Sequence, residues 1–321
     1  MARRAADDER DGVELTNLDQ PVFDGAGATK RDLVDYLDAV SARMLPGLSG
    51  RPLSVIRARP GSAPFMQKNL PKHAPDWIAR VETWAETSQR TVTYALCADR
   101  RTLLWFANQR AIEYHPTLTP LETTETHEIV LDLDPPDGGD FGQVVAAARL
   151  VREALSGVGL DAAVKTSGAK GLHIVAPLAA PLGIDEAFAV TRAVAARAAA
   201  LDDDVATTAF IRDDRGGRVF LDPTRAGWAT LVAAYSPRAR RGLPVSCPLA
   251  WDALDDVVPS EITVHTALDR LGDADPWRDL RPEPGTLAEG LVAEGRAISV
   301  PRVQAMHEGK RRKRARERQE P

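Results

Sequence analysis

The sequence holds only two cysteines, Cys97 and Cys247, too few for a disulfide framework, which points to a reducing cytoplasm. No uninterrupted apolar run approaches the roughly 20 residues a membrane-spanning helix needs, so no membrane partner is expected. The N-terminus opens Met1-Ala2-Arg3-Arg4, turns acidic, and lacks the apolar core of a secretory signal. There is no internal repeat, and no compositional break divides residues 14–299. Nor is there a large excess of either charge. The chain sets 41 Lys+Arg against 46 Asp+Glu, a formal net charge of -5, which taken alone argues against a polyanionic partner. With 44% hydrophobic and 27% charged residues, the 321-residue chain is not disordered, collagen-like or coiled-coil.

The charge is unevenly spread. Residues 310–318 carry seven basic side chains and one acidic, +6 in all, leaving -11 on the rest. Like charges at that density repel one another, so residues 301–321 read as a flexible basic tail. Such a tail suits either phosphate contact without sequence preference or a merely solvated terminus. Residues 1–300 read as one domain.

Strand, helix and turn signals interleave, which predicts an α and β protein. Thr29 reads as the cap of a helix with Leu33, Leu37, Val40 and Met44 on one stripe, ended by Gly47, Gly50 and Pro52. Leu53–Arg57 reads as a strand, and 60–64 as a turn. Residues 77–85 fit helix or strand equally. From 128 the punctuation sharpens. Apolar strand 129–131 runs into Asp132-Leu133-Asp134-Pro135-Pro136, and a helix capped by Asp140 follows. Strands 162–166 and 172–176 flank the turn 167–171. A helix begins near Asp185, and Val219–Leu221 is a further strand ending in Asp222-Pro223.

Asp132 and Asp134 carry the first chemistry. Strand alternation puts both carboxylates on one face, where their repulsion calls for a cation; oxygen ligands of this kind select Mg²⁺ or Mn²⁺. Acids at strand ends also serve as turn formers or caps. Asp222 ends a second strand and would complete a two-metal set for nucleotidyl transfer, unless it is an unrelated Asp-Pro turn. Between these lies Thr166-Ser167-Gly168-Ala169-Lys170-Gly171-Leu172-His173. Its glycines allow close phosphate approach, and Ser167, Lys170 and His173 add a hydroxyl, a charge and an imidazole. The spacing is not that of a P-loop, and a plain hairpin turn remains the alternative. Arg215, Arg218, Arg225, Arg238, Arg240 and Arg241 cluster around and beyond Asp222, suiting a triphosphate, a nucleic-acid backbone or a solvated basic face. His115, after Ala111–Tyr114, has nothing local to mark it as functional.

Together these segments resemble the polymerase domain of bacterial ligase D, in the archaeo-eukaryotic primase superfamily. The likeness runs from about residue 14 to 280 and rests on Asp132-Leu133-Asp134-Pro135, Ser167–Ile174 and Phe220-Leu221-Asp222-Pro223-Thr224-Arg225. Supporting stretches are Gly50–Ser54, Phe65–Pro71 and Tyr235–Arg238. The resemblance implies an α+β primase-polymerase fold, a central pair of mixed or antiparallel β-sheets flanked by helices. It implies that Asp132, Asp134 and Asp222 are catalytic and hold two ions of Mn²⁺ or Mg²⁺. It assigns Ser167, Lys170, Gly171, His173, His115, Arg215 and Arg238 to the incoming NTP or dNTP, and Lys30, Arg57, Phe65 and Lys68 to DNA.

The implied activity is primer extension on a primer–template or gapped DNA, in short gap filling or end processing. A cytoplasmic, nucleoid-associated location and a separate DNA ligase and end-binding protein as partners go with it, as for a stand-alone paralogue. Three positions depart from the family pattern: Gln20 replaces a 5′-phosphate-binding lysine, Met66 one of two adjacent phenylalanines, and Ala226 an asparagine. The same residues admit two rival readings. An Asp-nucleophile phosphohydrolase would use Asp132 and Asp134 but needs a later acidic pair after an apolar strand; Asp202–Asp204 and Asp213-Asp214 sit in polar contexts instead. A non-catalytic nucleic-acid binder leaves all three motif aspartates unexplained.

Overall fold

The apolar run around Ile129–Leu131 is the middle of a ten-residue strand at the heart of a six-stranded sheet. This computed structural model describes residues 8–85, 89–121, 123–301 and 306. The basic run 310–318 lies outside the described residues. In chain order the first elements are β1 (Asp8–Arg10), β2 (Val13–Leu15), α1 (Lys30–Ala39), α2 (Ser41–Leu48), β3 (Pro52–Arg59) and β4 (Ser62–Gln67). Then come β5 (Arg80–Ala85), β6 (Arg90–Leu96), α3 (Arg100–Asn108), β7 (Ala111–Pro116), β8 (Glu125–Asp134), α4 (Phe141–Ser156) and β9 (Ala163–Thr166). The rest are β10 (Leu172–Gly183), α5 (Ile184–Leu201), β11 (Ala206–Thr207), β12 (Val219–Asp222), β13 (Pro248–Leu249), α6 (Ala267–Leu271), α7 (Pro276–Asp279) and α8 (Leu291–Ala297).

The chain folds into two units. One takes residues up to 117 with 231–247 and 259–275; the other takes 118–230, 248–258 and the residues from 276 on. Because the chain crosses from one unit to the other five times, no single compositional break marks a boundary.

In the first unit, strands β4-β3-β6-β5 form an antiparallel sheet, joined by β7 on β3. Residues 77–85, ambiguous in sequence, supply strand β5, paired along its length with β6. The expected single helix after Thr29 is two. Thr29 caps α1 through a capping box with Asp32, worth about 1 kcal/mol. The bend falls at Val40, whose amide still bonds Tyr36 O while its own carbonyl accepts from Met44 N. One buried stripe, Leu33–Leu37–Val40–Met44, therefore continues through both helices, and α2 runs past Gly47 to Leu48. The expected turn at 60–64 is shorter: the chain reverses at Pro60-Gly61 and β4 begins at Ser62, an edge strand with both faces open.

In the second unit the sheet order is β11-β12-β8-β10-β9-β13, antiparallel except for the β11–β12 pair. It is thus a mixed sheet, and α4 and α5 pack on it, as the α+β expectation requires. Asp140 caps α4 by accepting from Gln143 N. Helix α5 is buried along most of its length because α4, the sheet and α8 cover it in turn, which is why its sequence is Ala-rich rather than amphipathic. Strand β10 runs past Ala176 to Gly183, accommodating its prolines at an irregularity between Pro177 and Leu182. Among the described residues no helix is long and apolar enough to cross a membrane.

Candidate active site

Four neighbouring strands of the second unit bring one polar residue each into a single row. Lys165 on β9 is the cross-strand partner of His173 on β10, His173 of Asp132 on β8, and Asp132 of Asp222 on β12. Asp134 lies two residues along β8, on the same face as Asp132 and opposite Phe220. Motifs separated by ninety residues of sequence thus meet because β12 and β10 both pair with the carboxyl-terminal end of β8.

Each group in the row has a defined partner. Asp132 Oδ2 accepts from the Arg225 guanidinium at 2.7 Å, and Oδ1 lies 3.4 Å from His173 Nε2. Asp222 Oδ1 accepts from Thr224 N at 2.9 Å and Thr224 Oγ1 at 2.6 Å, while Oδ2 lies 3.2 Å from Arg225 Nε. Lys165 Nζ sits 2.7 Å from His173 Nδ1. A lysine ammonium only donates, so Nδ1 accepts and the proton of the neutral ring sits on Nε2. The Asp134 carboxylate makes no hydrogen bond or ion pair among the described residues.

The electrostatics follow from this arrangement. Burial and then the Asp132 and Asp222 charges push the Asp134 carboxyl up to about 6. Burial also opposes ionisation of Asp132, but Arg225 and His173 outweigh it and hold that carboxyl well below its ordinary range. Burial, then the Lys165 charge, pushes His173 down to about 4. The donor chemistry fits hard divalent cations: three carboxylates on one sheet face, one of them making no ion pair among the described residues. Among the described residues no three His, Cys, Asp or Glu side chains are closed around one cation position. Arg225 stands in that role, its positive charge against Asp132 and Asp222.

The loop 167–171 is organised by its own serine. Ser167 N donates to Gly171 O, and Ser167 Oγ accepts from the amides of Ala169 and Gly171. Gly168 adopts φ +67, and a Cβ on Gly171 would lie 2.2 Å from Leu133 O, so neither position suits a side chain. Lys170 projects to solvent at the tip. Arg215 stacks its guanidinium 3.9 Å over the Phe220 ring and donates to Ala209 O and Phe210 O.

In the first unit, His115 and Arg238 meet on a residue that sequence reasoning passes over. Buried Glu113 accepts from His115 Nε2 at 2.8 Å, Arg238 Nε at 2.9 Å and Ala239 N at 2.9 Å. Arg57 on β3 donates to Gln109 O and Gln67 Oε1, with its guanidinium 5.8 Å from the Phe65 ring centroid. Phe65, Met66 and Lys68 are exposed on and beside edge strand β4. Lys30, the remaining DNA-binding candidate, is 2% exposed, its ammonium donating to Thr16 O and to Asn108 Oδ1 at the end of α3. Lys165, Glu113 and the bridging position of Arg225 went unmarked in sequence, because each is defined only by a partner on another strand or loop.

Comparison with known proteins adds the following. The family model described as "LigD, primase-polymerase domain" matches residues 29–277. The chain is 33% identical over 271 residues to the multifunctional non-homologous end joining DNA repair protein LigD of Mycobacterium tuberculosis, covering 81% of this chain and 35% of that protein. It is 32% identical over 264 residues to the bifunctional non-homologous end joining protein LigD of Bacillus subtilis, covering 81% and 42%. It therefore spans well under half the length of these relatives. The solved polymerase domain from Mycobacterium tuberculosis ligase D, in complex with DNA, superposes with a TM-score of 0.77 at 31% identity, over 84% of this chain and 99% of that one.

Proposed function

We propose, for a chain that belongs to the LigD primase-polymerase domain family, that it is a nucleotidyltransferase extending the 3′ end of a DNA primer during break repair. The observation that carries this reading is the placement of Asp132, Asp134 and Asp222 on one sheet face at the ends of two paired strands. Mn²⁺ or Mg²⁺ held there, two per site, would stabilise charge on the attacking and leaving oxygens of phosphoryl transfer. In the overall reaction the primer 3′-hydroxyl attacks the α-phosphorus of an NTP or dNTP and pyrophosphate leaves.

The chain's own residues take the remaining roles. Asp134, with no partner of its own, is the carboxylate most ready to ligate. His173, neutral with its proton on Nε2, is a hydrogen-bond donor for a phosphate oxygen, and Lys165 keeps it in that form. Ser167, Gly171 and the exposed Lys170 form the turn over which a triphosphate would lie, with Arg215 adding charge. In the first unit Glu113 holds together His115 and Arg238, the pair that the family resemblance assigns to the nucleotide. Arg57, Phe65 and Lys68 present charge and an aromatic face to DNA, a partner named for the solved relative.

The relatives' names place them in non-homologous end joining, which supports gap filling or end processing here, with a DNA ligase and an end-binding protein as partners. The phosphohydrolase alternative gains no support. Asp213 and Asp214 are exposed on a short helical turn, and Asp202–Asp204 are exposed where α5 ends. The test is extension of a primer–template with Mn²⁺ or Mg²⁺ and rNTPs or dNTPs. Extension that disappears in Asp132→Ala and Asp134→Ala supports the proposal; phosphate release from simple monoesters without extension supports the hydrolase.

A further inference from the structure

Both buried aspartates of the row are engaged by neighbouring side chains. Asp132 gives one oxygen to Arg225 and faces His173 with the other; Asp222 gives one to Thr224 and faces Arg225 with the other. The Arg225 contacts differ in kind. Its NH2 donates to Asp132 at 2.7 Å, whereas its Nε, buried and 3.2 Å from Asp222, makes no hydrogen bond of good geometry. The guanidinium is thus held at Asp222 by charge alone, and its side chain remains 27% exposed, leaving it a way out.

We propose that Arg225 is an internal counter-ion that a divalent cation must displace from Asp132 and Asp222 before it can bind. The inference rests on the reading of those carboxylates as metal ligands. A guanidinium and a divalent ion on the same oxygens repel each other across a few ångströms in a poorly hydrated site, so each weakens the other's hold. In the metal-free protein Arg225 neutralises repulsion between Asp132 and Asp222, which face each other across the β8–β12 pair. On loading it must leave, and Thr224 keeps Asp222 oriented while it does. A triphosphate arriving with the metal offers the displaced guanidinium a new anion, so metal and nucleotide binding should favour each other.

The signature is a pair of opposite effects. Arg225→Gln should lower the stability of the metal-free protein, by leaving two buried carboxylates without their cation, yet raise its affinity for metal. A residue with a merely structural role would lower both when removed. The experiment is a Mn²⁺ titration of the full chain at pH 8 without nucleotide, with free Mn²⁺ read by electron paramagnetic resonance. Arg225→Gln is expected to bind Mn²⁺ at least about tenfold tighter than wild type. Equal or weaker binding by the folded variant overturns the proposal while leaving the metal site intact. Absence of Mn²⁺ binding in both proteins overturns the metal-site reading itself, and this inference with it. Should Arg225→Gln not fold, Mg²⁺ is titrated into wild type and the Arg225 Nε–H resonance, assigned with Arg225→Lys, is followed. A shift with the midpoint of Mg²⁺ binding supports displacement, and a resonance unmoved at saturation overturns it.

Discussion

Asp222 on β12 is the direct cross-strand partner of Asp132 on β8, so two carboxylates share one sheet face at adjacent positions. Like charges placed directly opposite destabilise a sheet, and here they persist because a cation sits on them. A third carboxylate, Asp134, makes no ion pair among the described residues, and burial with the two neighbouring charges outweighs the attraction of Arg225 and Arg215. Removal of the Asp134 charge should therefore relieve the metal-free fold. Asp134→Asn is expected to raise thermal stability in EDTA at pH 8 by about 1 kcal/mol, a Tm increase of roughly 2–4 °C. A lowered Tm would show that Asp134 is held by stabilising contacts rather than left free.

Glu113 gives the clearest pH dependence. Burial pushes its carboxyl up, but His115, Arg238 and the Ala239 amide together hold it below its ordinary value of 4.5. A depressed carboxylate contributes stability that is fully present above the unfolded value and drains away as pH falls through the folded one. Glu113→Gln should therefore cost about 1–3 kcal/mol at pH 7 in urea unfolding, and the deficit should shrink below pH 4.5. A deficit that stays constant down the acid limb would mean the charge on Glu113 is not what matters.

At Gly171 the expected effect is steric. Alanine there puts a methyl 2.2 Å from Leu133 O, against backbone that cannot yield without disturbing the Leu172–Leu133 pairing. Gly171→Ala should destabilise by about 2–3 kcal/mol, whereas Gly168→Ala, strained by its positive φ, should cost about 1 kcal/mol. Chemical denaturation of the two variants side by side checks the ranking, and equal costs would count against this loop geometry.

Lys165 is expected to act through His173. In Lys165→Met the donor to Nδ1 is lost and the ring is free to move its proton, so affinity for a non-hydrolysable triphosphate should fall roughly tenfold. Calorimetry of nucleotide binding, with ¹⁵N chemical shifts of the imidazole as the tautomer readout, separates this from general damage. Unchanged affinity with an unchanged tautomer would remove Lys165 from the site.

What the sequence revealed and what it hid divide along a physical line. The three aspartates were legible because each ends an apolar strand and is followed within three residues by proline, and Thr29 and Asp140 were legible as caps because capping is local. Strand β10 was underestimated because its prolines look like terminators, while its distal pairing with β8 resumes after an irregularity. The burial of Lys30 was hidden for the opposite reason. Exposure is the default for lysine, and Thr16 and Asn108, brought in by the fold, help make its burial tolerable. Lys165 and Glu113 share that logic: a charged residue alternating with apolar ones on a strand reads as solvent-facing until its cross-strand or loop partner is known. Local chemistry was visible and pairing was not.

The most direct test uses the variant expected to keep its fold. Wild type and Asp134→Asn are given a gapped duplex, Mn²⁺ and α-labelled nucleotide, and primer length and pyrophosphate are followed together. Wild type should extend the primer with one pyrophosphate released per nucleotide added, and Asp134→Asn, though at least as stable, should not extend it. Extension by Asp134→Asn at the wild-type rate, or no extension by wild type, would contradict nucleotidyl transfer from this carboxylate row.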